Sequence, residues 1–193
     1  MLFRLLAGET DLVVVVHRRD TLMKVLVVYE SIFGNTRDIA QAIAQGLGSL
    51  ADTEVELTEV GSAPASADGF DLVVVGGPVH AWHMTSPSTR PGARDQAREA
   101  GLGPVSTGIG VREWLHAMAP AVASQSAAAF DTAVTSRWFP VGSAAKGEAA
   151  LLEHSGYRLV AEPEHFRVEG TDGPLIPGEL ERAREWGAAL ATA

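Results

Sequence analysis

Apolar residues along this chain follow two spacings: short runs of strand length, and longer stretches in which they recur every third or fourth position. The runs at 24–30, 54–60, 71–76, 127–132 and 157–161 read as strands, and 35–47, 111–118, 144–154 and 179–191 have helical spacing. One stripe of the first helix is Ile39, Ile43 and Leu47; the second carries Val111, Trp114, Leu115 and Met118. Near the end, Leu180, Ala183, Gly187 and Leu190 form a core face, with Trp186 as a core or partner contact. Short strand-like runs alternating with helices predict an α/β layered domain around a parallel sheet.

Two segments fit this alternation less well. Residues 86–110 are rich in Pro, Gly, Ser, Thr and Arg, and are expected to be a functional excursion near the site or a mobile loop. Residues 1–22 are read as an extension to a domain spanning 23–193: either Met23 is the native start, or the leader adds an edge strand through 12–16. There is no internal repeat.

Composition narrows the chemistry. With 193 residues and 46% apolar content, one domain with a sizeable core is expected. A net charge of −9 and only two lysines, Lys24 and Lys146, argue against nucleic acid or an anionic membrane and leave a basic redox partner as one use of the surface. The absence of cysteine excludes disulfides, thiolate metal sites and every cysteine nucleophile, so redox chemistry must come from a bound cofactor. The apolar runs at 12–16 and 72–75 are too short to span a bilayer, and residues 1–8 lead into Glu9 and Asp11 rather than a cleavage site. The expected compartment is the cytoplasm.

The sequence VVYESIFGNTRDIAQAI at 27–43 is a strand that runs into a Ser/Gly/Asn/Thr turn and then a helix. The first N–H groups of a helix have no intrahelical partner and carry the positive end of the macrodipole, so such a turn can hold a phosphate. Ser31, Asn35 and Thr36 offer side-chain donors, Gly34 permits a close bend around an anion, and Arg37 and Arg137 are possible supplementary charges.

At these residues the chain resembles the flavodoxin phosphate signature, with Val27, Val28, Tyr29, Ser31, Gly34, Thr36, Ala40 and Ile43 at matching positions. The resemblance implies a flavodoxin-like doubly wound five-stranded parallel sheet, order 2-1-3-4-5, with helices on both faces and FMN beyond the carboxyl ends of strands one and three. It also implies FMN contacts from Ser31, Ile32, Phe33, Gly34, Asn35 and Thr36. Phe33 departs from the hydroxyl residue usual in short-chain flavodoxins and resembles the FMN-dependent quinone reductases.

The second loop, GGPVHAWHM at 76–84, stands where a flavodoxin-like protein meets the flavin ring, so Gly77, Pro78, Val79, His80 and Trp82 are expected ring contacts. Gly76 and Gly77 remove side chains where a flat heterocycle would approach, and Trp82 offers a stacking surface. Gly76, Pro78 and Met84 match the quinone-reductase spacing, whereas Val79 replaces a usual threonine and Trp82 a usual glycine. His80 and His83 form an HxxH pair without a third ligand nearby, so no metal is expected; His80 is the candidate proton donor. Residues 130–143, FDTAVTSRWFPVGS, stand where a flavodoxin-like protein has a third flavin-contacting loop, with Thr132, Ser136 and Trp138 as the expected contacts.

Three functions follow. The first is an FMN-binding flavodoxin-like electron carrier working with a redox partner protein. The second is an FMN-dependent NAD(P)H:quinone-type oxidoreductase acting on a small quinone-like acceptor, although GLGPVSTG at 101–108 is no dinucleotide fingerprint. The third is a flavodoxin-like module that has lost its flavin, motivated by Phe33, Val79 and Trp82. No Walker motif or GxSxG elbow is present.

Overall fold

The computed structural model describes residues 22–122, 125–135 and 142–193. The expected extension therefore lies outside the described residues, apart from Leu22. In chain order the elements are β1 (Met23–Tyr29), α1 (Asn35–Leu47), β2 (Thr53–Glu59), a 3-10 turn (Val60–Ser62), β3 (Leu72–Pro78), α2 (Arg90–Glu99) and α3 (Val111–Ala117). They continue as β4 (Ser126–Val134), α4 (Ala144–His154), β5 (Arg158–Leu159), β6 (Glu164–Val168) and α5 (Glu179–Leu190).

The sheet is parallel, with order β2-β1-β3-β4-β5, and β6 also pairs with β4. This is the expected doubly wound order. The fifth position is divided: β5 pairs with Ser126 and Ala127, and β6 with Phe130 to Val134. Pro163 lies in the gap and has no N–H to give the ladder, whereas Val160 still donates to the Ala127 carbonyl at 3.0 Å. The strand expected at 157–161 is thus shorter, and its continuation over Glu164–Val168 is a correction to the sequence reading.

Strand alternation sorts the interior into two cores. Val25 and Val27 of β1, Leu72 and Val74 of β3, and Ala128 and Phe130 of β4 face α1 and α5. Their neighbours Leu26, Val28, Val73, Val75, Ala127 and Ala129 face α3 and α4. A strand whose two faces are both covered must be apolar throughout, which explains the runs in β1 and β3. Trp186 of α5 belongs to the first core, edge-on to Phe130 and Phe166 at 6.3 and 6.2 Å between ring centroids. Leu180, expected on the core face, is exposed instead, while Ala183, Gly187 and Leu190 are buried.

The segment 86–110 is an ordered element rather than an open loop. It contains α2, which begins with Pro91 in its first turn and buries Ala93 and Ala97 against Ile32 and Phe33. Among the described residues, no helix is long and apolar enough to cross a membrane.

Candidate functional site

The carboxyl ends of β1 and β3 lie side by side at the point where their connections diverge, and the phosphate-type turn sits there. Gly34 precedes α1 with φ of 101°, a left-handed conformation that a side chain would strain. No side chain caps this helix start, so the first amides of α1, at Asn35, Thr36 and Arg37, have no partner within it. Asp38 N–H makes the first helical bond, to the Gly34 carbonyl at 3.0 Å.

The turn is held from below. Gly34 N–H donates to Ser31 Oγ at 3.1 Å, Ser31 N–H donates to Ser106 Oγ at 2.9 Å, and Ser106 N–H donates to the Ser31 carbonyl at 2.7 Å. Val105 N–H reaches the Ile32 carbonyl at 3.2 Å. Arg94 secures the segment 105–108 by donating to the carbonyls of Ser106 and Gly108 at 3.0 and 2.7 Å. Residues 105–108 therefore fix the shape of the turn, a role the sequence alone did not disclose.

Phe33 has a structural reason. It packs with Ile32 against Ala93 and Ala97, so its ring anchors α2 over the turn. Thr36 and Thr132 hydroxyls lie 2.7 Å apart in the interior and join the first turn of α1 to the end of β4. Asn35 Nδ2 donates to the Asp172 carbonyl at 3.3 Å, so its side chain is engaged with the 170–173 turn. Arg37 pairs with Asp38 at 2.9 Å.

A narrow cleft of about 60 Å³ opens from this turn, lined by Ile32, Phe33, Asn35 and Thr36, by Pro78, Val79 and His80, and by Thr132. Thr85, Ala93, Val134, Val168 and Thr171 complete it and were not expected from the sequence. Val134 and Val168 escaped notice because β4 runs past its expected end and β6 was not foreseen. His80 Nδ1 is buried without a partner, and burial pushes the His80 pKa down.

Other expected contacts are placed elsewhere. A Cβ on Gly76 would collide with the Phe130 ring, and one on Gly77 would lie 2.9 Å from Glu148 Oε1. These glycines make room for the interior neighbours Phe130 and Glu148. Trp82 does not line the cleft. His80 and His83 exchange backbone hydrogen bonds of 2.8 and 3.2 Å across a two-residue turn, with Ala81 and Trp82 at φ of 50° and 68°. A left-handed conformation costs a residue with a side chain about 1–2 kcal/mol. This turn sends His80 into the cleft, whereas Trp82 and His83 border a separate groove. No group of three metal-ligating side chains occurs among the described residues. Ser136, Arg137 and Trp138 lie outside the described residues.

Beneath the loops lies a buried carboxylate cluster. Glu30 accepts the Thr85 hydroxyl at 2.6 and 2.8 Å and the Val111 N–H at 3.0 Å; Arg90 donates to Thr85 Oγ1 at 3.0 Å and pairs with Glu113 at 2.7 Å. Burial raises the Glu30 pKa against these stabilising contacts. Asp131 accepts from Ala145 N–H at 2.9 Å and the Ser143 hydroxyl at 3.1 Å, and faces His165 Nδ1 at 2.9 Å. Glu148 has no hydrogen-bond partner on either oxygen; burial, reinforced by Asp131 and Glu30, holds its pKa well above the usual carboxylate range.

Comparison with known proteins converges on this region. The family model of the flavodoxin domain matches residues 26–88, which include both the phosphate-type turn and the second loop. The chain has a flavodoxin-like fold. Similar solved structures include oxidised Flavodoxin 2 from Bacillus cereus, at 21% identity and TM-score 0.61, covering 88% of this chain and 98% of that one. A flavodoxin from the domain Archaea matches at 18% identity and TM-score 0.59 over 88% of this chain and 97% of that one. Rubredoxin oxygen:oxidoreductase from Desulfovibrio gigas matches at 19% and 0.58, over 88% of this flavodoxin-like chain and 35% of its own.

Proposed function

We propose that this protein binds FMN at the start of α1 and serves in the cytoplasm as an electron carrier for a redox partner. The observation that carries this reading is the uncapped first turn of α1 behind left-handed Gly34, flanked by the Ser31 and Thr36 hydroxyls. Backbone donors without a helical partner beside orientable hydroxyls are the chemistry a phosphate monoester needs. Bound FMN would supply the electron-transfer chemistry that a chain without cysteine otherwise lacks.

The chain's own residues have separable tasks. The amides of residues 35–37, with Ser31 and Thr36, would hold the phosphate. Ile32, Phe33 and Ala93 keep water from one side of the cleft, and Pro78, Val79, His80, Thr132 and Val134 would shape the ring end. His80 remains the candidate proton donor there.

A fluorescence titration with FMN, and with riboflavin in parallel, tests the reading. Tight, quenched FMN binding with much weaker riboflavin binding is expected. A second reading has one observation in its favour: the cleft of about 60 Å³ is far below the usual ~300–1,000 Å³ of small-molecule sites. On that reading the module has lost its flavin, and neither ligand binds. If FMN binds, turnover of NAD(P)H with a quinone separates a reductase from a carrier.

A further inference from the structure

The two-residue turn that sends His80 into the cleft turns Trp82 outward. The residue is 63% exposed, the largest exposure among the large apolar residues described. Trp82 stands at the rim of an open groove of about 1,100 Å³ between α3 and α4, with Met84, Ala150 and Leu151 supplying apolar surface. A Cβ on Gly142 would collide with the Trp82 backbone, so the turn is seated on the residue preceding the α4 cap.

The groove's two charged side chains, Arg112 and Lys146, are of one sign, and three imidazoles stand with them. Arg112 and His116 are four residues apart on α3, and Lys146 and His154 are eight apart on α4; helical periodicity puts each pair on one face, where both line the groove together with His83. Lys146 and His154 are separated along the helix by about 12 Å. No carboxylate lines the groove among the described residues, and neither Arg112 nor Lys146 has an ion-pair partner there. Arg112 is held to the groove wall by the carbonyls of Thr85 and Met84, at 3.0 and 3.1 Å. Glu153 neighbours His154 in sequence but does not line the groove.

We infer that this groove is the docking surface for an acidic redox protein, with Trp82 as its apolar anchor and Arg112, Lys146 and the imidazoles facing the partner's carboxylates. The chain's net charge of −9 suggests a basic partner, but the charge beside the second loop is of the opposite sign. An exposed tryptophan at a groove that carries one Arg and one Lys has the composition of an interface anchor, and rim charges act mainly on orientation and association rate. The groove is long and open, with cations on both walls, which suits a protein surface better than a compact nucleotide. The redox role of the partner rests on the FMN reading; the charge complementarity does not.

The first experiment therefore uses no flavin. The full chain, isotopically labelled, is titrated at low salt with a short polyglutamate peptide and followed by NMR. Shifts concentrated at residues 82–84, 112, 116 and 146–154 are expected. Affinity should fall by roughly tenfold in the K146E/H154E double variant and on addition of salt. The distal variant Lys24→Glu should leave it unchanged. If the double variant does not fold, K146Q/H154Q provides the same comparison. Equal binding of polylysine at this face, an equal effect of Lys24→Glu, or shifts produced by NADPH but not by polyglutamate would overturn the proposal. In a second arm, an acidic [2Fe–2S] ferredoxin reduces the FMN-loaded protein, and the double variant should slow the second-order rate by roughly tenfold without altering FMN affinity. A protein that binds polyglutamate but not FMN refutes the redox reading while leaving the acidic surface match standing.

Discussion

Glu148 is the group whose protonation most constrains this core. Its carboxyl is buried without a hydrogen-bond partner, and Asp131 and Glu30 add negative potential, so the folded protein keeps it protonated well above the usual range. The unfolded chain gives up that proton near 4.5, the group's ordinary value. Above that pH the unfolded state gains, and stability falls by up to about 1.4 kcal/mol per pH unit until the folded carboxyl itself ionises. Glu148→Gln should flatten this alkaline decline, with Glu30 leaving a smaller residue of it, as read by urea unfolding across pH. His80 acts in the opposite direction: burial lowers its pKa, so stability is lost as pH falls below its ordinary 6.5. Thr36→Val makes a second test at this scale. It leaves the buried Thr132 hydroxyl without its partner and should cost about 1–3 kcal/mol in stability. It should also weaken FMN more than riboflavin if the phosphate lies at α1. Gly34 and Ser31 were legible in the sequence because their roles are local, whereas the Thr132 partner of the Thr36 hydroxyl lies 96 residues away. The tasks of Phe33, Gly76 and Gly77 were not, since each is set by a residue distant in sequence: Ala93, Phe130 and Glu148.

At the scale of elements, glycine has opposite consequences in two helices. A Cβ at Gly46 of α1 would collide with the Arg184 carbonyl, and one at Gly187 of α5 with the Ile43 carbonyl, so the two helices meet backbone to backbone. Gly92 of α2 faces open space. Gly92→Ala should stabilise by about 0.4–1 kcal/mol through lost unfolded-state entropy. Gly46→Ala should destabilise by about 1–3 kcal/mol despite alanine's better helix propensity. Denaturant midpoints of the two variants should therefore move in opposite directions. The strands β1 and β3 were legible because burial on both faces demands continuous apolar sequence. Helix α2 was not: its buried stripe is Arg90, Ala93 and Ala97, with two small apolar residues only, and its Pro91–Gly92 start looks like a turn. The continuation at β6 was hidden for another reason, the interruption at Pro163 that divides one edge position into two short pairings.

Across the whole molecule, the phosphate-type turn is tied to parts of the chain that share no local sequence with it. Glu30 at the end of β1 takes hydrogen bonds from Thr85 and from the start of α3, Arg90 joins Thr85 to Glu113, and Glu113 in turn accepts the Gly110 N–H at 2.8 Å. Residues 105 and 106, between α2 and α3, grip the turn directly. Removing Arg90 should therefore loosen the site through the clasp, although Arg90 does not line the cleft. Arg90→Leu leaves Glu113 unpaired, but Glu113 is 28% exposed, so the cost should fall below the ~3–5 kcal/mol of breaking a fully buried pair. Hydrogen exchange should speed up at the amides of Ser31, Val105 and Ser106, while those of β1 and β3 within the sheet keep their protection. FMN, by binding the folded state, should restore part of the lost protection in the variant, whereas riboflavin should restore little. If exchange at Ser31 is unchanged while global stability falls, Arg90 supports the α2–α3 layer alone and the clasp does not control the turn.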